Sequence, residues 1–578
     1  MNKQMKWIGA AAILATASLS LAACASDDDA TNNASGDKGG SESEAPVAAV
    51  EAKPDYNPVD RADLKQGGTF VTAIAEIPPQ SNALHQDSVV DGATLWNWYN
   101  PQVILSTPEG ESYPNPNYIS DRTVEEVDGN TVMTITFTDE AEFNDGTPMD
   151  WRTIEATWRV QSGEGDYQPN TTDGYRQIKS VEKGDTDKTA VVTFDGTFAW
   201  TDALFFQVIH PDAAKDAKTF NEAYINEPHP EWGAGPYKIG TWDADKGTVT
   251  FVPNEKWWGD KGLLDERTFR VMESTAVINA FKAGEIDSAG TGTADLMAQV
   301  ADMDGVVTYK APDVSNGLLQ FNSNNPILSD INVRKAAMMS IDREQIKAIR
   351  FQGLDWQEPP AGSFNLYSFQ DGYEDSFAAA GYEFSDEKAS QILEDAGWTM
   401  GDDGIREKDG EKLSFGYTTF GDDPTSEAQT RAIQQMMKQV GIDLVIENHP
   451  SSEFSTVVTE GDWDSIIMGF SSSDAFGVMW MCQIYCMDQG LNLSDTSDET
   501  FDQRIHEQVE ALPTKEEQIP AAMKLEAELM SESWGIMPVY NGPVITTVKD
   551  GIANLSPEPY RGLDMFGVQP VENVGWEK

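Results

Sequence analysis

Runs with a two-residue period alternate with stripes of period 3.6 from Gly67 onward, and this alternation is what most limits the fold. Thr69 to Ile74, Asn130 to Phe137 and Thr189 to Phe194 switch apolar and polar side chains residue by residue, as half-buried strands do. From Ser385, a helix carries Ala389, Ile392, Leu393 and Ala396 on one face and ends at Gly397, where a left-handed cap belongs. Ser426 to Gln429 has the form of a capping box; Ile433, Met436, Met437 and Val440 follow as one stripe, closed by Gly441. The intermixed signals predict α/β lobes. The length of 578 residues allows roughly three or four domain-sized units.

Acids outnumber bases heavily, for a formal charge of -56. Such a surface repels nucleic acid and anionic lipid, so no nucleic-acid partner is expected. Met1 to Lys6 carries two lysines and no acid, and Trp7 to Leu21 is apolar, Ala-rich and too short for a comfortable membrane span. The run ends in Leu21-Ala22-Ala23-Cys24, which resembles the bacterial lipoprotein signal. That resemblance implies that residues 1–23 are removed and that Cys24 carries a diacylglyceryl thioether, whose two acyl chains hold the chain on a bilayer. The other reading is an ordinary secretory signal with an incidental Cys. Residues 24–65 are rich in Gly, Ser and acids, which predicts a flexible acidic tether.

Cys482 and Cys486 remain. In an oxidising compartment two nearby Cys read as a local disulfide, although the i, i+4 spacing suits a loop or helix end better than a regular helix. A metal pair is the alternative; no His stands near them in sequence, and none of the five His is close to another, so no metal site is expected.

Several stretches then agree in order and spacing. They are Gly233-Ala234-Gly235-Pro236-Tyr237-Lys238, Asn254-Glu255-Lys256-Trp257-Trp258-Gly259, Leu264-Asp265, Phe269-Arg270-Val271 and Ala280-Phe281-Lys282-Ala283-Gly284-Glu285-Ile286-Asp287. Phe143-Asn144-Asp145-Gly146-Thr147-Pro148, Val333-Arg334-Lys335-Ala336 and Ile341-Asp342-Arg343 join them. Together they resemble the extracellular solute-binding proteins, family 5, that serve peptide, nickel and related ABC importers. The loop from Pro359 to Ser363 is most like members from high-GC Gram-positive bacteria. The same residues have plain structural roles: Asp145-Gly146 is a turn pair, and Trp257 and Trp258 read as a core edge.

The resemblance implies a two-lobe, periplasmic-binding-protein-like (Venus flytrap) α/β fold with an extra inserted subdomain. Residues 66–100, 230–320 and 535–578 would form lobe I, 101–229 its insert, and 321–534 lobe II. A ligand would sit between the lobes and be enclosed as they close. Peptide-binding relatives pair the ligand ammonium with an Asp just after a strand ending in Gly-aromatic; here Gly469-Phe470-Ser471-Ser472-Ser473-Asp474 corresponds, with Asp474 one residue further along. Asp474 also reads as a helix cap. Glu76, Ile77, Pro78, Trp96 and Trp98 are first-lobe candidates, with one or two expected to touch ligand and the others core, and Asn322 is a weaker one near the hinge. No Arg or Lys falls between Glu453 and Asp474, which disfavours a short dipeptide clamped at its carboxyl end.

The resulting expectation is a non-enzymatic, monomeric, membrane-anchored receptor on the outer face of the cytoplasmic membrane, without cofactor, passing oligopeptides to ABC permease subunits. The alternatives are a nickel chelate, sugar, opine or haem-like ligand, an extracellular hydrolase, or a sensor. No His-Glu-x-x-His and no fitting Gly-x-Ser-x-Gly favours the hydrolase.

Overall fold

The Thr69–Ile74 strand turns Phe70, Thr72 and Ile74 inward, as its alternation predicts. In the computed structural model, which describes residues 55–106, 112–471, 477–487, 489–555 and 570–578, it runs parallel to Glu266–Val271. Thr248–Pro253 and Tyr237–Asp243 complete this four-stranded sheet of the first lobe. Its core gathers Phe70, Trp98, Tyr237, Phe251 and Phe269.

Asn130–Phe137 and Thr189–Phe194 pair antiparallel at the centre of a second four-stranded sheet, flanked by Ile119–Val127 and Ile178–Lys183. The helix Trp151–Gln161 packs on it, and its capping Asp150 accepts the Arg152 N–H at 2.9 Å. This is the inserted subdomain.

The second lobe is built on a mixed five-stranded sheet. Its order is Asp443–His449, Ser414–Phe420, Ser465–Ser471, Ser315–Phe321 and Ile536–Tyr540. The first two are parallel and therefore need a crossover, which is the helix Pro424–Gln439. Ile433, Met436, Met437 and Val440 are buried, and Gly441 has φ +86°. The helix starts earlier than the expected capping box at Ser426. Asp423 is the cap, accepting the Ser426 N–H at 2.7 Å, and Pro424 holds the first position, where a missing N–H costs nothing. Ser385 caps the helix Asp386–Asp395 as expected from its sequence.

Two adjacent passages join the lobes. Val306–Pro312 and Pro543–Lys549 pair antiparallel in the first lobe, and Ser315–Phe321 and Ile536–Tyr540 pair in the second. Residues 315–320 and the strand after 535 therefore belong to the second-lobe sheet, not to the first lobe as expected. The breaks fall at the turn-forming pairs Pro312-Asp313 and Asn541-Gly542. Gly542 has φ +91°, a conformation that favours glycine. Asn541 Nδ2 donates to the Ser315 carbonyl at 3.1 Å, tying the passages together. The buried Glu358 accepts the N–H groups of Asn541 (3.0 Å) and Gly542 (2.7 Å).

The expected flexible tether, residues 24–65, is ordered from Asp55. Leu64–Lys65 pairs with Gly575–Glu577, Arg61 donates to the Glu572 carbonyl at 2.6 Å, and Asp55 accepts the Lys310 N–H at 2.7 Å. The buried Leu64 gives this stretch an apolar anchor that the composition of the whole segment conceals. Cys24 lies outside the described residues. Among the described residues no helix is long and apolar enough to cross a membrane.

The sequence motifs resolve into scaffold roles. Gly233 and Gly235 lie against the Tyr99 backbone, where an added Cβ would stand 2.5 Å and 3.1 Å from its atoms. Trp257 and Trp258 pack on Tyr118. Asp287 accepts the Val71 N–H at 2.7 Å and pairs with Lys549. Arg334 is buried and donates only to carbonyls, those of Leu328, Ser329, Ser533 and Trp534. Burial lowers its pKa to about 10.

Candidate functional site

A cavity of about 680 Å³ lies between the first lobe with its insert and the second lobe. From the first lobe come the loop and helix around Leu84 to Asn97; from the insert come Gln161, Asn170, Tyr175, Phe206 and Gln207. The second lobe supplies Phe364, Asn365 and Tyr367, then Phe454 and Val458, Met468 to Phe470, Trp480 with Gln483, and Gly490. The lining mixes aromatic and aliphatic surface with eight carboxamides: Gln86, Asn97, Gln161, Asn170, Gln207, Asn365, Gln483 and Gln489.

The turn that presents Asn365 is fixed from behind. Glu526, fully buried on the helix Lys515–Ser533, accepts from Ser363 Oγ (2.6 Å), Phe364 N (2.8 Å), Asn365 N (3.3 Å) and Tyr485 Oη (3.1 Å). Burial raises the Glu526 pKa, and those donors oppose the rise. Asn365 itself is 1% exposed, and its Oδ1 and Nδ2 are buried with no partner among the described residues. On the insert, Gln161 donates Nε2 to Asn170 Oδ1 at 3.0 Å, and its buried Oε1 has no partner among the described residues.

The Ser465–Ser471 strand reaches the cavity with one edge open. It pairs with Ser315–Phe321 along its whole length, whereas Ser414–Phe420 meets it only at Thr418 opposite Ile466. Beyond that point, among the described residues, Met468, Gly469 and Phe470 have a strand neighbour on one side only, and all three line the cavity.

Among the described lining residues, charge is confined to two carboxylates. Asp202 pairs with Arg122 at 2.8 Å, and Asp87 lies 3.5 Å from His85, whose pKa is lowered by burial. No Lys, Arg or His is among the described lining residues.

The lobes also meet at polar contacts around the cavity. Glu76 accepts from Ser455 N (3.2 Å) and Ser455 Oγ (2.6 Å). Glu273 accepts from Ser451 N (2.9 Å) and Oγ (2.6 Å), and Asp422 accepts from Thr275 N at 3.2 Å. On the insert side, Asp173 accepts the Gln483 N–H at 3.0 Å, Gln483 Nε2 donates to the Asn170 carbonyl at 2.8 Å, and Arg176 pairs with Glu510. Burial pushes Glu76 up to about 7 against the Ser455 hydrogen bond, and burial pushes Asp173 up to about 7 despite Arg176.

The structure separates the residues singled out from the sequence. Phe470 lines the cavity. Ser471 ends the strand, and Ser472, Ser473 and Asp474 lie outside the described residues. Glu76 is bound to Ser455 instead of lining the cavity. Ile77 packs on the first-lobe core, and Pro78 lies against Gly92. Trp96 is buried against Tyr99 and Tyr224, and Trp98 against Tyr237 and Phe251 under the Arg267 guanidinium, so neither faces the cavity. Asn322 shapes a turn, donating to the Trp463 carbonyl at 2.9 Å and accepting from Asn324 N at 3.1 Å. From the Trp96 to Asn100 stretch only Asn97 lines the cavity, because the helix Val90–Trp96 ends there and turns its aromatic neighbours inward. Gln86, Gln161 and Asn365 had no local signal.

Cys482 and Cys486 are joined, with Cα atoms 4.7 Å apart, beside the short helix Met481–Tyr485. The fold brings His506 and Glu510 to within 4.8 Å of the Cys482 sulfur, a proximity the sequence hides. The Arg176 guanidinium sits in that cluster, 3.2 Å from His506 Nδ1 and paired with Glu510, so a cation already balances the carboxylate.

The sequence model of the bacterial extracellular solute-binding proteins, family 5 (middle region), matches residues 111–487. The oligopeptide-binding protein OppA of Mycobacterium tuberculosis is 27% identical over 533 residues, covering 90% of this chain and 88% of that one. Among solved structures, the oligopeptide-binding protein AppA of Bacillus subtilis, in complex with a nonapeptide, aligns with a TM-score of 0.75 at 20% identity, covering 89% of this chain and 100% of that chain. A periplasmic EDTA-binding protein, EppA, aligns with a TM-score of 0.74 at 24% identity over 91% of this chain and 98% of that chain. These likenesses carry the two-lobe fold, and proteins with peptide and chelate ligands share it.

Proposed function

This chain belongs to the bacterial extracellular solute-binding proteins of family 5, and we propose that it is the oligopeptide receptor of an ABC importer. The observation that carries the peptide reading is the open edge of the Ser465–Ser471 strand at the cavity wall. An extended peptide satisfies its own N–H and C=O groups by adding to such an edge, and the neighbouring pockets then hold alternate side chains. The mycobacterial OppA relative supports the same reading.

The cavity chemistry points the same way. A chelate or opine brings carboxylates into the enclosure, and a buried anion without a cation is very costly. The described lining offers none, whereas its carboxamides match the neutral donors and acceptors of a peptide main chain. The role proposed is capture and not turnover, as in the solute-binding proteins of the family, and no activated nucleophile or acid–base pair stands among the described lining residues. The lobes enclose the ligand and present the closed form to the permease, with the protein acting as a monomer held to the membrane through lipid on Cys24.

Native mass spectrometry of the protein purified without denaturation, followed by fragmentation of the released ligand, tests this. A ladder of adducts that fragments into peptides is the expected result. A single non-peptide mass would remove the peptide reading and leave the family unchanged.

A further inference from the structure

We infer that Asp87 takes a cationic group of the bound ligand, the ammonium or guanidinium of a basic side chain. This rests on the peptide reading above and adds to it a side-chain preference and the residue that sets it.

The two carboxylates of the described lining differ in how they are balanced. Asp202 is held by Arg122 at 2.8 Å and lies 3.9 Å from Lys515, so its charge is neutralised within the protein. Asp87 has no such cation. Among the described residues, the basic side chain within ion-pair distance of it is His85, and that ring is neutral. His85 Nδ1 accepts the Asp87 N–H at 3.1 Å, so this nitrogen carries no proton, and burial lowers the His85 pKa in the same sense. The Asp87 carboxylate stands 3.5 Å from that same Nδ1 and therefore faces a lone pair, not an N–H. The Asp87 side chain is 32% exposed, open enough for a ligand group to reach it.

Its place makes the missing cation matter. Gln86, next to it, meets the second lobe, where a Cβ added to Gly490 would stand 2.6 Å from Gln86 Cβ, and Gln86, Asp87, Gln489 and Gly490 all line the cavity. Asp87 thus sits where the lobes converge, and closure over a ligand strips water from beside it. A carboxylate that loses water without gaining a cation is destabilised, and a cation brought by the ligand removes that cost. The pair then strengthens as water leaves, because its attraction is less screened in the enclosed cavity than at the surface. The formal charge of -56 on the whole chain adds a field that favours cationic over anionic ligands. Lys and Arg, with long flexible stems, carry their charge far enough from the peptide main chain to reach a carboxylate at the wall.

The test offers the purified protein, freed of bound solute, a random peptide library of mixed lengths, and the most retained peptide is synthesised. Each of its positions is replaced in turn by Lys and by norleucine, which keeps the stem without the charge, in free and N-acetylated forms. Affinities are measured for the wild type and for Asp87→Asn, which keeps the shape of the side chain. At one position or more, the wild type is expected to bind the Lys form about tenfold more tightly than the norleucine form, between the value of an exposed ion pair and that of a charged hydrogen bond. The gain is expected to shrink at high salt and to vanish in Asp87→Asn, with the norleucine affinities unchanged. No Lys gain at any position, or a gain that Asp87→Asn keeps, would overturn the inference while the peptide reading stands. Equal losses of the Lys and norleucine forms in Asp87→Asn would make Asp87 a scaffold residue and refute its role in selection. A gain that follows the free amino terminus, and is lost both on acetylation and in Asp87→Asn, would replace the basic side chain with the terminal ammonium and so refute the side-chain assignment. Retention of no library peptide would remove the peptide reading and this inference with it.

Discussion

Replacing Glu76 with Gln tests how the two lobes hold together. Glu76 reaches from the first lobe to the N–H and hydroxyl of Ser455 on the second, and Gln can keep both contacts without the charge. Burial pushes the Glu76 pKa from 4.5 to about 7, with Asp91 adding to the rise. The closed form therefore binds the proton more tightly than a form in which Glu76 is hydrated. Its advantage is complete below about 4.5 and is lost as pH rises through about 7. Keeping Glu76 buried costs about 1 kcal/mol at pH 5 and about 3 kcal/mol at pH 8. The difference, about 2.5 kcal/mol before rounding, changes the closed-to-open ratio roughly seventyfold. It is an upper limit, because Asp91 is on the same lobe and stays beside Glu76 when the lobes part. Asp173, also pushed up to about 7, meets Gln483 at the other rim and adds a response of its own in the same direction. The assay is the radius of gyration of ligand-free protein by small-angle scattering across this pH range. The wild type is expected to expand as pH rises, Glu76→Gln to expand less, and Glu76→Gln with Asp173→Asn to stay compact. A Glu76→Gln profile that coincides with the wild type would refute the reasoning.

Other outcomes follow from single contacts or single sequence features. An added Cβ at Gly490 would stand 2.6 Å from Gln86 Cβ on the facing lobe, so Gly490→Ala is expected to weaken every ligand by about tenfold. Its ligand-free melting temperature is expected to be unchanged, as scanning calorimetry would show. Cys24→Ser is expected to release the protein from the membrane fraction, and persistent sedimentation with membranes would refute the anchor. Asp474→Asn is expected to weaken peptides with a free amino terminus by about tenfold or more, and their N-acetylated forms little. Equal losses in paired titrations would remove the ammonium partner.

The scaffold was legible because its signals are local. The Thr69–Ile74 strand, the stripe from Ile433 to Val440 and the left-handed Gly441 each follow from side-chain period or backbone sterics within a few residues. The passages between lobes were legible only in retrospect, at Pro312-Asp313 and Asn541-Gly542, because strands continue on both sides of them. The cavity was mostly hidden. Trp96 and Trp98 have the size and chemistry of ligand contacts, yet the end of one short helix turns both into the core and leaves Asn97 at the wall. Glu76 meets a serine 379 residues away. Asn365 is defined by Glu526, 161 residues on, and no pattern around either residue announces the pair.

The division between seam and wall has a consequence for specificity. The charged contacts, Glu76 with Ser455, Glu273 with Ser451 and Arg176 with Glu510, lie outside the cavity and touch no ligand surface. They set how often the lobes are closed, and every ligand that needs the closed form gains or loses by the same factor when they change. The wall carries little charge, with Asp87 and Asp202 its described carboxylates, and is assembled from both lobes. The strand edge at Met468 to Phe470 comes from one side, and Gln161 and Gln207 from the other. A ligand held on one lobe leaves part of its polar surface in water, so its affinity for the closed form is where discrimination arises. Seam variants such as Glu76→Gln are then expected to scale all affinities together, whereas wall variants such as Phe470→Ala are expected to reorder them. A panel of peptides measured against both variants separates the two effects, and a seam variant that reorders the panel would show that closure and recognition are not divided in this way.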